Sequence, residues 1–260
     1  MSMLTSRPVT AVFTTLILLA AWWGYVTLFH VPPFILPPPQ AVFAELVRLF
    51  AGGSIWPHLG HTLGIILVGF VLGSLGGFGL GFILAKFPRV ERIVAPYLLF
   101  FQTAPKIALA PLFILWFGFG LESKIVIAAA LAFFPVFSNA LVAFRSVEPG
   151  DRDVFTMLQA SPVQRFIMLD LPTAFPVVLA GMEVAVVMSM IGAIVGEFIG
   201  GNEGLGYLAV SMLQELQVPG LFAVIVFLTL IGLTLYTLIA QLRGWLTPWH
   251  ASVARAGETA

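Results

Sequence analysis

Long uncharged runs, parted by short polar or charged stretches, set the pattern of this chain. They cover residues 9–29, 62–85, 93–118, 124–144, 173–199 and 217–242, and charge enters them only as Lys106, Lys124, Glu183 and Glu197. A helix needs ~20 residues to cross the ~30 Å hydrocarbon layer, and each run is long enough. In lipid the backbone must satisfy its own hydrogen bonds, so helix is expected even where Val and Phe crowd. The pattern predicts an all-α polytopic membrane bundle of six transmembrane helices, forming one transmembrane domain over residues 1–260. The first run follows Arg7. It exceeds the ~7–15-residue core of a signal peptide and no small-x-small cleavage site follows it, so it reads as a retained span.

Composition agrees with that pattern: 60% of the residues are hydrophobic and 9% charged. Soluble domains carry roughly a quarter of their residues charged. Net charge is zero, which gives no electrostatic reason to expect a nucleic-acid partner. Cysteine is absent, excluding disulfides, thiolate catalysis and cysteine-based metal sites. Threading the spans with the amino terminus inside places Arg7, Lys86, Arg89, Arg92, Arg145, Arg152, Arg165, Arg243 and Arg255 in the cytoplasm. Only Arg48 and Lys124 then lie outside, so the basic flanks predict both termini inside.

Three connecting stretches carry further information. Leu36-Pro37-Pro38-Pro39 stops a helix, and residues 41–50 after it are apolar on one face at helical spacing, predicting a short interfacial helix outside. Residues 200–215, also outside, begin Gly-rich and turn amphipathic. The inner stretch 145–172 is the longest and most charged inner loop. There Glu148-Pro149-Gly150 marks a turn, Asp151 is placed to cap a helix, and Ser161-Pro162-Val163-Gln164 fits a capping box with proline at the first helical position. Two short helices are expected, showing Val154, Phe155 and Leu158 to water, a surface that suits a protein partner.

The run Asp153-Val154-Phe155-Thr156-Met157-Leu158-Gln159-Ala160-Ser161, closing at Leu171-Pro172, resembles the coupling element of bacterial ABC importer permeases, in the branch that includes nitrate, sulfonate, taurine and thiamine-precursor systems. In that family a Glu-Ala-Ala element precedes a glycine and a hydrophobic stretch ending in Leu-Pro. Here Asp153 replaces the glutamate, Val154 and Phe155 the alanines, and Gln159 the glycine. The resemblance extends through Leu36-Pro37-Pro38-Pro39, the stretch from Ala110-Pro111 to Phe117-Gly118, Phe134-Pro135, Arg145-Ser146-Val147-Glu148-Pro149, Gly196-Glu197-Phe198, Gly204-Leu205-Gly206-Tyr207 and Leu246-Thr247-Pro248-Trp249-His250. It implies a type I importer permease fold in a bacterial inner membrane, two permease copies as a homodimer, a cytoplasmic ABC ATPase dimer and an extracytoplasmic substrate-binding protein. Asp153, Val154, Phe155, Leu158, Gln159, Ala160 and Pro172 would then contact the ATPase.

No energy-converting site is expected in this chain. A phosphate-cradling loop needs Gly-Lys-Ser/Thr, and none of Lys86, Lys106 and Lys124 follows a glycine. ATP and its magnesium would sit on the partner. Candidates for the translocation path are Gln102, Lys106, Asn139, Glu183 and Glu197, with Ser138 beside them. Lys106 lies between Pro105 and Pro111, where helix geometry breaks. It either lines a solute path there or snorkels to the interface or a structural ion pair. Glu183 departs from the basic residue frequent in the family; it is placed to pair with Lys106 or to face the cytoplasmic entrance. Glu197 follows the family pattern, and for both acids a structural hydrogen-bonded role competes with substrate contact. Gly69, Gly73, Gly77 and Gly81 form a small-residue stripe for close helix packing, and Gly192, Gly196 and Gly200 repeat it. His58 and His61 are expected at the interface, not at a metal.

An ABC importer permease for a small solute is therefore the leading expectation. A pyrimidine or other small aromatic is favoured, with sulfonate, taurine or nitrate next. An ion-gradient secondary transporter would show an inverted repeat, and none is found. A membrane-embedded enzyme would need a nucleophile or metal constellation that is absent.

Overall fold

The computed structural model describes residues 7–248, and Trp249, His250 and Arg255 lie outside the described residues. These residues form helices joined by short loops, with no strand among them. In order they are α1 (Arg7–Leu28), α2 (Pro39–Ala51), α3 (Ile55–Lys86), α4 (Pro88–Thr103), α5 (Ala110–Phe117), α6 (Leu121–Arg145), α7 (Pro149–Met157), α8 (Pro162–Arg165), α9 (Leu171–Gly200), α10 (Leu205–Gln214) and α11 (Val218–Leu246). Proline opens several of them at the first turn, where its missing N–H costs nothing.

Four helical segments are individually long and apolar enough to cross a membrane: Ile55–Lys86, Leu121–Arg145, Pro162–Gly200 and Val218–Leu246. A fifth candidate is a bent pair, Pro88–Thr103 with Lys106–Phe117, turned by 84°. The apolar part of α1, Val12–Leu28, is shorter. The helix containing the second expected run begins at Ile55, before residue 62, because Ile55 is drawn into the apolar core at the α2 end.

Two expectations about the inner loop are corrected. The turn at Glu148-Pro149-Gly150 and the cap at Asp151 give way to α7 itself, which starts at Pro149 with Glu148 at its N-cap and Asp151 in its first turn. The capping box at Ser161 forms, with Gln164 N–H donating to Ser161 Oγ at 3.2 Å and Ser161 N–H to Gln164 Oε1 at 2.8 Å. The helix it starts, however, is not a separate second loop helix. It continues through a π-helical turn at Phe166–Asp170 into α9, a single run from Pro162 to Gly200. Pro172 permits this because its ring falls early in α9 and the wider π turn absorbs its missing donor.

α3, α6 and α9 form the centre. Gly69, Gly73, Gly77 and Gly81 lie against α6: a Cβ on Gly69 would sit 2.5 Å from Ala128 Cβ, and one on Gly81 2.7 Å from Ala140 Cβ. From α9, Gly192 meets the same Ala128, whose Cα would lie 2.6 Å from an added Cβ. Three backbones thus converge on one alanine. Aliphatic and alanine side chains fill this centre, including Ala132, Val136, Ala140, Ala174 and Val178. A second core at the opposite end joins α2, α10 and α11 through Val42, Leu49, Leu205, Met212 and Val224. The outward residues of the long helices remain apolar, as a lipid-facing surface requires.

Candidate functional site

The break between α4 and α5 follows from proline chemistry. Ala104 precedes Pro105 and takes extended backbone, φ −58° and ψ 140°, as steric clash with the following ring demands. A short 3-10 turn at Lys106–Leu109 re-enters α5, where Pro111 lies in the first turn. The bend opens a cavity of about 650 Å³ whose lining includes Phe100, Phe101, Phe113, Trp116, Phe133 and Phe134. Among the described residues Lys106 is its one charged lining residue. Its Nζ donates to the Gln102 carbonyl at 2.8 Å and stands 4.5 Å from the Phe134 ring centroid. Gln102 and Lys106 are therefore brought together, through the Gln102 backbone.

The other path candidates lie apart from this cavity. Asn139 donates from Nδ2 to the Pro135 carbonyl at 2.8 Å, and its Cβ packs where α9 passes at Gly181. Glu183 is buried and pairs with Arg243 of α11, Nε to Oε1 2.9 Å, so the Lys106 pairing considered from the sequence is replaced by this one. Both residues project between α9 and α11, whereas Lys106 turns back across the break to the last turn of α4. Glu197 sits at the far end of α9, 1% exposed. It accepts from Thr62 Oγ1 at 2.8 Å and from Gly206 N–H at 2.7 Å, with His61 Nδ1 3.3 Å away. Leu205 N–H donates to Thr62 Oγ1 at 2.8 Å, and Gly204 N–H to His58 Nδ1 at 3.1 Å. His61 thus has a carboxylate neighbour that its local sequence did not reveal. Among the described residues no group of three or more His, Asp or Glu side chains is placed to hold a metal.

At the other end, α7 projects from the bundle with Val154, Met157 and Leu158 exposed by 52%, 84% and 72%. Asp153 and Gln159 are exposed beside them and Phe155 is half-buried. α7 ends in a Schellman turn, with Ala160 N–H bonded to Phe155 O and Gln159 N–H to Thr156 O, each at 3.0 Å. Gln159 takes φ 52°, the left-handed backbone that glycine adopts most readily. Next to this turn, Lys86, Phe155, Thr156, Gln159, Ala160, Pro162 and Arg165 line a cavity of about 310 Å³.

The segment is fastened to the bundle by contacts the sequence did not single out. Lys86 Nζ bonds Asp170 Oδ2 at 2.6 Å, and Asp170 is 1% exposed. Arg152 donates to the Phe144 carbonyl at 3.1 Å, and Phe166 packs on Phe82 and Phe144. Arg145 pairs with Glu91, joining α6 to α4. A signal for Lys86 and Asp170 was available: each ends or begins a span on the same side of the expected topology.

Residues 77–250 match the family described as the inner membrane component of binding-protein-dependent transport systems. The chain belongs to this family. It is a multi-pass ABC transporter permease of the inner membrane, all-helical as its family predicts. The permease is 37% identical over 218 residues to the formylaminopyrimidine transport permease protein ThiX of Halalkalibacterium halodurans, covering 84% of this chain and 87% of that one. It is 38% identical over 242 residues to the riboflavin transport system permease protein RibX of Chloroflexus aurantiacus, covering 92% and 89%. With the taurine transport system permease protein TauC of Escherichia coli it shares 31% over 254 residues, 95% of this permease and 92% of the other. The branch expected from the motifs is the branch found.

Proposed function

We propose that this permease is the translocation subunit of an ATP-driven importer, moving a small solute inward by alternating access. In this reading α1 and the bent α4–α5 pair complete six spans with both termini in the cytoplasm, and α7 lies on the cytoplasmic side. The observation that carries it is α7 itself. A nine-residue helix outside the candidate spans exposes Val154 and Met157, with Leu158 exposed at its C-cap; its Arg152 bonds Phe144 of α6, and the π turn that follows in the chain is tied to α3 by Lys86–Asp170 and to α3 and α6 by Phe166. An apolar tip on an anchored base suits a partner that pushes. That partner is a cytoplasmic ABC ATPase dimer, which binds ATP and magnesium and performs the hydrolysis. A binding protein delivers solute at the opposite face, and a second copy of this chain completes the pore as a homodimer.

Gln102 and Lys106 line the solute path at the broken span. Asn139, Glu183 and Glu197 have partners within the bundle: Asn139 bonds within α6, Glu183 holds α9 to α11, and Glu197 holds α9 to α3 and α10. The solute class favoured is a pyrimidine or other small aromatic. Support comes from relatives named for formylaminopyrimidine and riboflavin, with taurine and sulfonate permeases next. No finding favours an ion-gradient mechanism. The test is co-purification of the ATPase with Asp153→Lys and Phe155→Glu variants. Loss of the ATPase with normal membrane insertion is expected, and undiminished co-purification overturns the docking assignment.

A further inference from the structure

The cavity at the broken span sets a charge, which lipid contact does not call for, inside an aromatic wall. Six aromatic rings wall it, two each from α4, α5 and α6, and one ammonium stands among them. A lysine within a span is costly unless something solvates it. Among the described residues no carboxylate lies within ion-pair distance of Lys106. Its ammonium has three donors, and the Gln102 carbonyl takes one. We infer that this cavity is a solute-contact site for a flat heteroaromatic ring bearing a carbonyl or anionic oxygen. The ring lies among the Phe and Trp faces and the oxygen on Lys106. The inference rests on the importer reading above and adds to it the residues that would read the solute.

Size, charge and shape each favour that occupant. About 650 Å³ falls within the range of small-molecule pockets, roughly 300–1,000 Å³. Ring faces suit stacking on another ring, and the cation over Phe134 already shows how this lining accommodates charge. Taurine carries an ammonium as well as a sulfonate, and the lining offers no carboxylate to receive it. A second copy seated face to face would bring the same patch, whose one charge is again Lys106, so it would add a like charge instead of pairing it.

The absence of cysteine makes the test direct. Leu112→Cys places a thiol in the lining without removing a ring, and Leu98→Cys does so from α4 if the first variant folds poorly. Each is made in the full chain in lipid nanodiscs and labelled with N-ethylmaleimide. Riboflavin and a formylaminopyrimidine are expected to slow labelling about fivefold at ~four times their dissociation constants, by simple occupancy. Taurine leaves the rate unchanged. Adding Lys106→Met abolishes the protection without altering the unprotected rate. Equal protection by taurine overturns the aromatic class. No protection by any probe, with copies joined by a bifunctional maleimide, overturns the site and makes the cavity a subunit interface. ATP-dependent uptake in vesicles holding the whole transporter tests the importer reading separately. Uptake without protection sinks the site alone, and protection without uptake supports the site while sinking the importer reading.

Discussion

Replacing Gly77 with alanine should destabilise the permease, whereas the same change two residues on at Gly79 should not. A Cβ on Gly77 would stand 2.5 Å from the Phe133 carbonyl oxygen and 2.9 Å from the Phe137 amide nitrogen. Both are backbone atoms of α6, so no side chain can swing aside and the helices themselves must part. Separating α3 from α6 by several tenths of an ångström also loosens the neighbouring contacts of Gly73 and Gly81, which lie on the same ridge. Overpacking of this kind costs about 1–3 kcal/mol. At Gly79 nothing lies within 4 Å, so alanine there gains about 0.5–1 kcal/mol of helix preference. Thermal unfolding of the purified chain in detergent, followed by intrinsic fluorescence, should place Gly77→Ala several degrees below wild type, with Gly79→Ala at or above it. At roughly 2–4 °C per kcal/mol for a chain of this size, the two variants should differ by about 5–10 °C. Equal midpoints for the two would refute the claim that close backbone approach of α3 and α6 holds the bundle.

Other outcomes follow from single contacts. Lys86→Met leaves Asp170, 1% exposed, without its cation, a loss of about 3–5 kcal/mol, and Lys86→Met with Asp170→Leu should recover most of it in the same unfolding assay. Gln159→Gly relieves a left-handed φ of 52°, worth about 1–2 kcal/mol, and should slow hydrogen exchange at the Gln159 and Ala160 amides; Gln159→Val should speed it. Glu197→Leu removes the acceptor for Thr62 and Gly206 and should make the loop at residues 201–204 sensitive to limited proteolysis, with α7 exchange unchanged. Arg243→Met leaves buried Glu183 unpaired and should lower the midpoint, while Glu183→Gln with Arg243→Met should be milder.

Apolar run length made the long helices legible, because hydrocarbon thickness imposes it on any sequence that crosses. Pro105 and Pro111 made the break legible too, since a missing donor acts locally. The proline positions did not give the 84° turn or the aromatic walls, because Phe133 and Phe134 come from a helix later in the chain. The capping box at Ser161 was readable, yet the helix it opens runs on into α9, because a π turn can absorb Pro172. Glu183 was placed to pair with Lys106 or to face the cytoplasmic entrance, and its actual partner, Arg243, lies on the last span. Periodicity ranks faces on one helix; it does not say which helix comes to meet them. His61 and Glu197 illustrate the same limit, being far apart in sequence and 3.3 Å apart in the fold.

The distribution of polar contacts along α9 bears on how α7 could act at a distance. At one end Asp170 ties the helix run to α3 through Lys86, and at the other Glu197 ties it to α3 again through Thr62. Between them Ser189 Oγ donates to the Ile66 carbonyl at 2.8 Å, and Gly192 lies against Ala128 of α6. α3, α6 and α9 are thus fastened at several depths, so a displacement imposed at Phe166 cannot be absorbed by one loosened contact. Under the proposed coupling it would move the three helices as a unit relative to elements joined to them by fewer ties. The bent α4–α5 pair is such an element. Among the described residues its polar link to α6 is Glu91 with Arg145 at the α7 end, while Lys106 bonds back across the break to Gln102 of α4 and rests its charge on Phe134 of α6. Motion of the central three helices would therefore change the aromatic cavity first, since Phe133 and Phe134 of α6 line it together with Phe100 of α4 and Trp116 of α5.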